Sequence, residues 1–271
     1  MDKIYLDNKI KYLKDQHMGI DIMYSSEPVK PIFSDETGKL WMGKRIKSPE
    51  DPIREYLGSE LQNVLAFENV ISPRIRRCKD FDTFYLVEYF PDLIFYGIDF
   101  TEACEIRDCA ENPAMREEAV YSRRWCADYY LKTGELLEGI WKTPSIEQKQ
   151  HLVGCLLNND YDRTRSNYMW RGNQLVVLDH EGGHDEFRFD KEFGAMKISL
   201  TDFIIPENTL EDFQIGIEKA KSLKPADFKK IVKNSGLTGK EAKSKVNELL
   251  DNQQNIESNL EFLIKTIKEQ S

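Results

Sequence analysis

Residues 158–184 read NNDYDRTRSNYMWRGNQLVVLDHEGGH, and the fold turns on how their last seven are parsed. Parsed as H-E-x-x-H, they offer His180 and His184 as zinc ligands and Glu181 as a general base. That parsing needs a helix, because only a spacing of four puts both imidazoles on one face. Gly182 and Gly183 fill the two intervening positions, and each costs ~1 kcal/mol relative to alanine inside a helix. The preceding QLVVLD has strand composition instead. In the second parsing a hydrophobic strand ends in one carboxylate, Asp179, and the glycines form a loop. His180 is then a structural histidine and His184 a loop histidine. The second parsing is favoured, with a zinc hydrolase as the alternative.

The loop before the strand supports this choice. Asp162 and Asn167 stand in the frame D-x-x-x-x-N used by kinase catalytic loops. There the Asp faces an attacking hydroxyl while the Asn turns back onto a phosphate-bound metal. Asp179 follows Asn167 by twelve positions, at the end of LVVL. A loop amide and a strand-end carboxylate can hold Mg²⁺, with nucleotide oxygens completing its octahedron. Upstream, KLWMGKRI puts Lys44 in a strand, the position of a clamp for α- and β-phosphates. The next helix offers Glu60, sixteen residues later, as its ion-pair partner. YLVEYFP is expected to join two lobes, with backbone groups of Glu88, Tyr89 and Phe90 facing adenine. Each signal is weak alone, and their order along the chain gives them force.

The remaining elements fit around these. Residues 19–46 read as extended runs broken by turns at Ser25–Pro28 and Asp35–Gly38. Asp51 followed by Pro52 suits an N-cap with proline at the first helical position. Leu57, Leu61, Val64, Leu65 and Ile71 then recur at helical spacing. FDTFYLVEYFPD is a strand closed by Pro91. Residues 101–142 read as mainly helical, and Ser145 with Gln148 forms a capping box for a helix reaching about Leu157. Two short strands flank an Arg171-Gly172-Asn173 turn. Val246, Leu249, Leu250, Ile256, Leu260, Leu263 and Ile267 mark one face of a long C-terminal helix. The expected fold is α+β and bilobal, with a strand-rich N-lobe over residues 1–91 and a mainly helical C-lobe over 92–271.

Composition narrows the function classes. In 271 residues, 40% of them hydrophobic, 38 basic face 47 acidic side chains, a net charge of −9. That balance disfavours nucleic acid or an anionic membrane as the main partner. The five cysteines form no C-x-x-C pair and read as reduced thiols. No apolar run approaches the ~20 residues of a membrane helix, and the N-terminus lacks a signal-peptide pattern. A cytoplasmic protein is expected.

SSEPVKPIFSDETGKLWMGK and GSELQNVLAFENVISPRI resemble the opening of the bacterial HipA-like kinase domain. There a Ser-containing turn replaces a Gly-rich loop and a hairpin leads into the lysine strand. NNDYDRTRSNYMWRGNQLVVLDHEGG resembles that family's D-R-H-x-x-N-hairpin-I-D-H-G block, and is similar to type II phosphatidylinositol 4-kinases. The resemblance implies a protein-kinase-like fold with ATP and Mg²⁺ between the lobes. It implies Asp162 as catalytic base, Asn167 and Asp179 as Mg²⁺ ligands, and Lys44 with Glu60 as phosphate lysine and partner. Ser25 and Ser26 would lie in the phosphate-binding turn. It also implies a protein Ser/Thr hydroxyl as phosphoacceptor, with a small molecule or lipid as second choice. Three positions depart from the family: Thr164 replaces its His, Glu181 displaces the glycine after D-H, and Gly43 precedes the lysine where an aliphatic residue is usual. Lys47 is the substitute candidate for Lys44. Residues 92–143 carry no part of the resemblance. A nucleotide-binding pseudokinase acting through a protein partner or regulator is the second reading.

Overall fold

The computed structural model describes residues 4–5, 10–16, 30–78, 81–91, 94–95, 107–118, 127, 130–132, 134, 146–160, 167–180 and 206–270. The N-terminal sheet contains β1 (Ile10–Gln16), β2 (Lys30–Asp35), β3 (Leu40–Arg45), β5 (Ile75–Cys78) and β6 (Phe81–Glu88). Their order is β1-β2-β3-β6-β5, and every pair is antiparallel. One carboxylate shapes the β2–β3 hairpin. Asp35 Oδ1 accepts hydrogen bonds from Thr37 N (2.9 Å), Thr37 Oγ1 (2.6 Å) and Lys39 N (3.1 Å), while Oδ2 accepts from Trp41 Nε1 (3.0 Å). Gly38 closes the turn at φ +81°, a conformation glycine adopts without strain. The other expected turn, Ser25–Pro28, lies outside the described residues.

Helix α1 (Asp51–Leu65) follows β3 after five residues. Asp51 is its first residue, not its cap. The Asp51 carboxylate reaches back to the amides of Lys47 (2.9 Å) and Ser48 (2.7 Å), tying the connection to the helix start. Proline sits in the first turn, and Ala66 ends the helix at φ 47°. Two faces of α1 are buried. Tyr56 packs under the N-terminal sheet with Ile75, Tyr85 and Val87. Leu57, Leu61 and Leu65 belong to the large helical core. The helix is thus a shared wall between the lobes, which explains its many buried residues.

Ile71, expected at helical spacing, lies instead in β4 (Val70–Ile71), which pairs parallel with β9 (Gln174–Val177). The αL residues Ala66 and Asn69 (φ 57°) end the helix and redirect the chain. β4 completes a second sheet of order β4-β9-β8-β7, with β8 (Tyr168–Arg171) and β7 (Ile94–Phe95). The β8–β9 hairpin turns at Gly172 and Asn173, as the sequence predicts.

Helical residues occupy 107–111, and α2 spans Pro113–Glu118. Helix α3 (Ile146–Asn158) crosses the core against α1, and its cap residue Ser145 lies outside the described residues. A 3₁₀ turn at Leu210–Phe213 leads to α4 (Gln214–Ser222), α5 (Pro225–Asn234), α6 (Gly239–Gln254) and α7 (Ile256–Gln270). The single C-terminal helix expected from the apolar stripe is therefore two. Asn255 leaves helical geometry (φ −97°, ψ 9°), and Leu249, Ile256, Leu260 and Leu263 on either side of it enter one core. No helix among the described residues is long and apolar enough to cross a membrane.

Candidate active site

Lys44 is the penultimate residue of β3. Its Nζ lies 3.4 Å from Glu55 Oε2 on α1 and 3.2 Å from Asp179 Oδ1, just past β9. The Tyr85 ring centre on β6 is 5.4 Å away, within cation–π range. The three charged side chains differ in access: Glu55 is 2% exposed, Lys44 13% and Asp179 48%. Glu55 anchors the lysine from inside, and Asp179 faces outward, where a ligand can reach it. Gly43 beside the lysine is set by packing. A Cβ there would lie 2.9 Å from Pro31 Cγ and 3.3 Å from the Phe33 ring, so β2 fills the space an aliphatic residue would take.

The helix partner of Lys44 is Glu55, not Glu60. Five residues separate β3 from α1, so the strand end meets the first turns of the helix. Glu60 lies roughly 7.5 Å further along the axis and about 140° around it. Its carboxylate instead faces Arg76 on β5, Oε1 to Nη1 at 3.8 Å. Burial pushes the Glu60 carboxyl above its usual range, with Arg76 pulling the other way. Burial likewise lowers the Arg76 guanidinium, offset by Glu60.

Asp179 is held in left-handed geometry, φ +57°. That costs a non-glycine residue about 1 kcal/mol, which its neighbours must offset. Asn167 brackets it: Leu178 N donates to Asn167 O (2.7 Å), and Asn167 Nδ2 donates to Asp179 O (3.4 Å). His180 follows in the interior, 1% exposed. Its Nδ1 is 2.8 Å from Asp160 Oδ2, and its Nε2 is 2.8 Å from Ser72 Oγ. Facing an ionised Asp160, which can only accept, Nδ1 carries a hydrogen; a neutral ring then leaves Nε2 to accept from the Ser72 hydroxyl. Residues 178–180 are not helical, and both His180 nitrogens are engaged. The zinc parsing therefore loses its first ligand, because both ring nitrogens of His180 are held by protein groups. Glu181 and His184 lie outside the described residues.

The connecting segment is partly committed to the sheet. Glu88 N donates to Arg74 O (2.9 Å) and Tyr89 N to Leu40 O (2.9 Å). These two amides are thus spent within the sheet, and of the expected backbone groups of Glu88, Tyr89 and Phe90 the carbonyls and the Phe90 amide are not among these bonds. Glu88 also pairs with Lys39 at 2.7 Å, and the Arg171 guanidinium lies 4.7 Å from the Phe90 ring centre. Asp162, Ser25 and Ser26 lie outside the described residues. Sequence reasoning did not single out Glu55, Asp160 or Ser72. The short β3–α1 connection pointed to a partner for Lys44 early in the helix; nothing local pointed to Ser72.

Over 98% of both chains, the structure aligns with a Helicobacter pylori proinflammatory kinase, CtkA, at a TM-score of 0.50 and 11% sequence identity. The chain has a kinase-like fold. At that identity the likeness is one of fold alone. The open conformation of CtTel1 gives a TM-score of 0.40 at 10% identity, covering 90% of this chain and 12% of that one. Macrolide 2'-phosphotransferase MphH from Brachybacterium faecium gives 0.30 at 8% identity over 97% and 92%. Neither score adds to the argument. No family model matches the chain, and no curated protein matches its sequence.

The donor set suits a hard cation shared with a nucleotide in this kinase-like fold. Among the described residues no group of three or more His, Cys, Asp or Glu could hold a metal alone. Asp179 brings a half-exposed carboxylate, and Asn167, tied to the Asp179 carbonyl through Nδ2, brings an amide beside it. Two oxygen donors with phosphate and water completing the shell is the habit of Mg²⁺.

Proposed function

We propose that this chain is an ATP- and Mg²⁺-dependent phosphotransferase of the HipA-like kinase type, acting on a Ser/Thr hydroxyl of a protein. One observation carries the reading: Lys44, Glu55 and Asp179, from three separate elements, converge at one point of a kinase-like fold. Phosphoryl transfer asks mainly for positioning and charge neutralisation, and this is a device for both. Glu55 holds the Lys44 ammonium extended from β3, where it orients the nucleotide phosphates. Asp179 and Asn167 present oxygens to Mg²⁺, which neutralises phosphate charge when bound. Asp162 accepts the hydrogen of the acceptor hydroxyl, and Ser25 with Ser26 lines the phosphate turn. Adenine contacts fall to Phe90 and to carbonyl oxygens of the connecting segment. The net charge of −9 supports a protein over a membrane lipid or nucleic acid as acceptor.

A nucleotide-binding pseudokinase acting through a protein regulator is the second reading. It is favoured by Thr164, which stands where the resembled family carries histidine.

The test is intact-mass spectrometry after incubation with ATP and Mg²⁺, beside Asp162→Asn and Asp179→Asn. Phosphate gained by the wild type alone is the expected result, with Ser25 and Ser26 the first sites to map. A gain of AMP would keep the fold and change the reaction. No self-modification together with metal-dependent ATP retention and no transfer to any protein would establish the pseudokinase.

A further inference from the structure

We infer that His180 is a positioning residue that sets how firmly the site holds its divalent cation, by fixing Asp179 against helix α1. This rests on the phosphotransferase reading. Three observations meet on this imidazole. First, its two nitrogens join parts of the chain that are remote in sequence: Ser72, just after β4, and Asp160, two residues before Asp162. All three residues are buried, with relative exposures of 3%, 1% and 1% for Ser72, Asp160 and His180.

Second, the ring lies against the backbone of α1. A Cβ on Gly58 would fall 2.6 Å from His180 Cβ and 2.9 Å from Nδ1, so only glycine lets the helix approach this closely. Gly58 is one turn beyond Glu55, the anchor of Lys44. The helix that places Lys44 therefore rests on the residue peptide-bonded to Asp179. Third, Asp179 is in the left-handed region, so its carboxylate direction depends on restraints from both sides. Asn167 supplies one restraint through the Asp179 carbonyl, and His180 supplies the other.

The order Ser72–His180–Asp160 is also that of a hydrolase triad. The burial of all three groups beneath α1 leaves no approach for a substrate carbonyl, so the network acts by holding rather than by attack. Partners behind a metal ligand commonly change metal affinity or activity 10–100-fold when removed.

The experiment compares wild type, His180→Phe, His180→Asn and Ser72→Ala, each checked by thermal melting. Equilibrium binding of a fluorescent ATP analogue is followed against Mg²⁺ concentration, and kcat and KM for transfer are measured alongside. In His180→Phe, the Mg²⁺ needed for half-maximal binding should rise roughly 10–100-fold and kcat fall by a similar factor. Metal-free nucleotide binding should hardly move, because Lys44 keeps Glu55. His180→Asn, which can still donate to Asp160, should recover part of the loss. Ser72→Ala deletes one hydroxyl and should shift the Mg²⁺ dependence in the same direction while melting cooperatively. If folded Ser72→Ala and His180→Phe keep the wild-type Mg²⁺ dependence, the inference fails while the phosphotransferase reading stands. If the wild type itself shows no Mg²⁺-dependent nucleotide binding, both fail, and that is seen before any variant is made.

Discussion

Lys44 and Asp179 are 135 positions apart in the chain, and their charged atoms are 3.2 Å apart in space. The contact joins the N-terminal sheet to the end of β9, and Glu55 on α1 completes it from the buried side. A cation that takes the Asp179 carboxylate competes with Lys44 for the same oxygen. Glu55 would still hold the Lys44 ammonium from the buried side.

Replacing Asp179 by Asn should remove phosphoryl transfer without unfolding the protein. The side chain is half exposed, so its charge contributes little to folding. Removing one charged group that acts on the transition state costs roughly 10²–10³ in rate. Quantified transfer beside a melting curve checks both halves, and an unchanged rate in a folded variant overturns the role.

Glu55→Gln and Glu60→Gln separate the two candidate helix carboxylates. Glu55→Gln should cut transfer by about tenfold or more, since Lys44 loses its buried counter-charge. Glu60→Gln leaves Arg76 without that carboxylate and should show up in stability, with a loss of up to about 3 kcal/mol and little change in rate. Denaturant titration and kinetics on both variants decide. The reverse pattern would restore Glu60 as the partner.

Gly58→Ala should be destabilising although alanine is the better helix former. The propensity gain is about 1 kcal/mol. Against it stands a Cβ placed 2.6 Å from the buried His180 side chain. Overpacking of this kind typically costs about 1–3 kcal/mol, so the net sign should be unfavourable. A lower unfolding midpoint is expected, and a raised one would show that α1 moves freely away from His180.

The Asp35 hairpin predicts a pH dependence. Burial alone would raise this carboxyl, but the hydrogen bonds from Thr37, Trp41 and Lys39 hold it below its usual value. A group lowered in the folded state stabilises fully above the ordinary carboxylate value of about 3.9, and loses that contribution as pH falls through the lowered value. Asp35→Asn should therefore cost about 1–3 kcal/mol near pH 7. The difference from wild type should shrink toward pH 2, as equilibrium unfolding at several pH values would reveal.

Local chemistry was legible in the sequence. The Asp35–Gly38 turn, the Gly172–Asn173 hairpin, the helix opening at Asp51-Pro52 and the strand leading to Asp179 follow from propensities that act over a few residues. So did the strand character of QLVV, which forms β9. The kinase-like arrangement was legible only from the order of these pieces. What the sequence could not decide is which side chains meet. Glu55 and Glu60 are chemically identical and lie on the same helix, and only the packing of α1 between two cores gives one to Lys44 and the other to Arg76. Ile71 fits a helical spacing, yet αL residues at Ala66 and Asn69 turn it into a strand beside β9. Ser72, Asp160 and His180 carry no joint signal along the chain. Their meeting depends on Gly58, whose missing side chain lets the helix close over the imidazole.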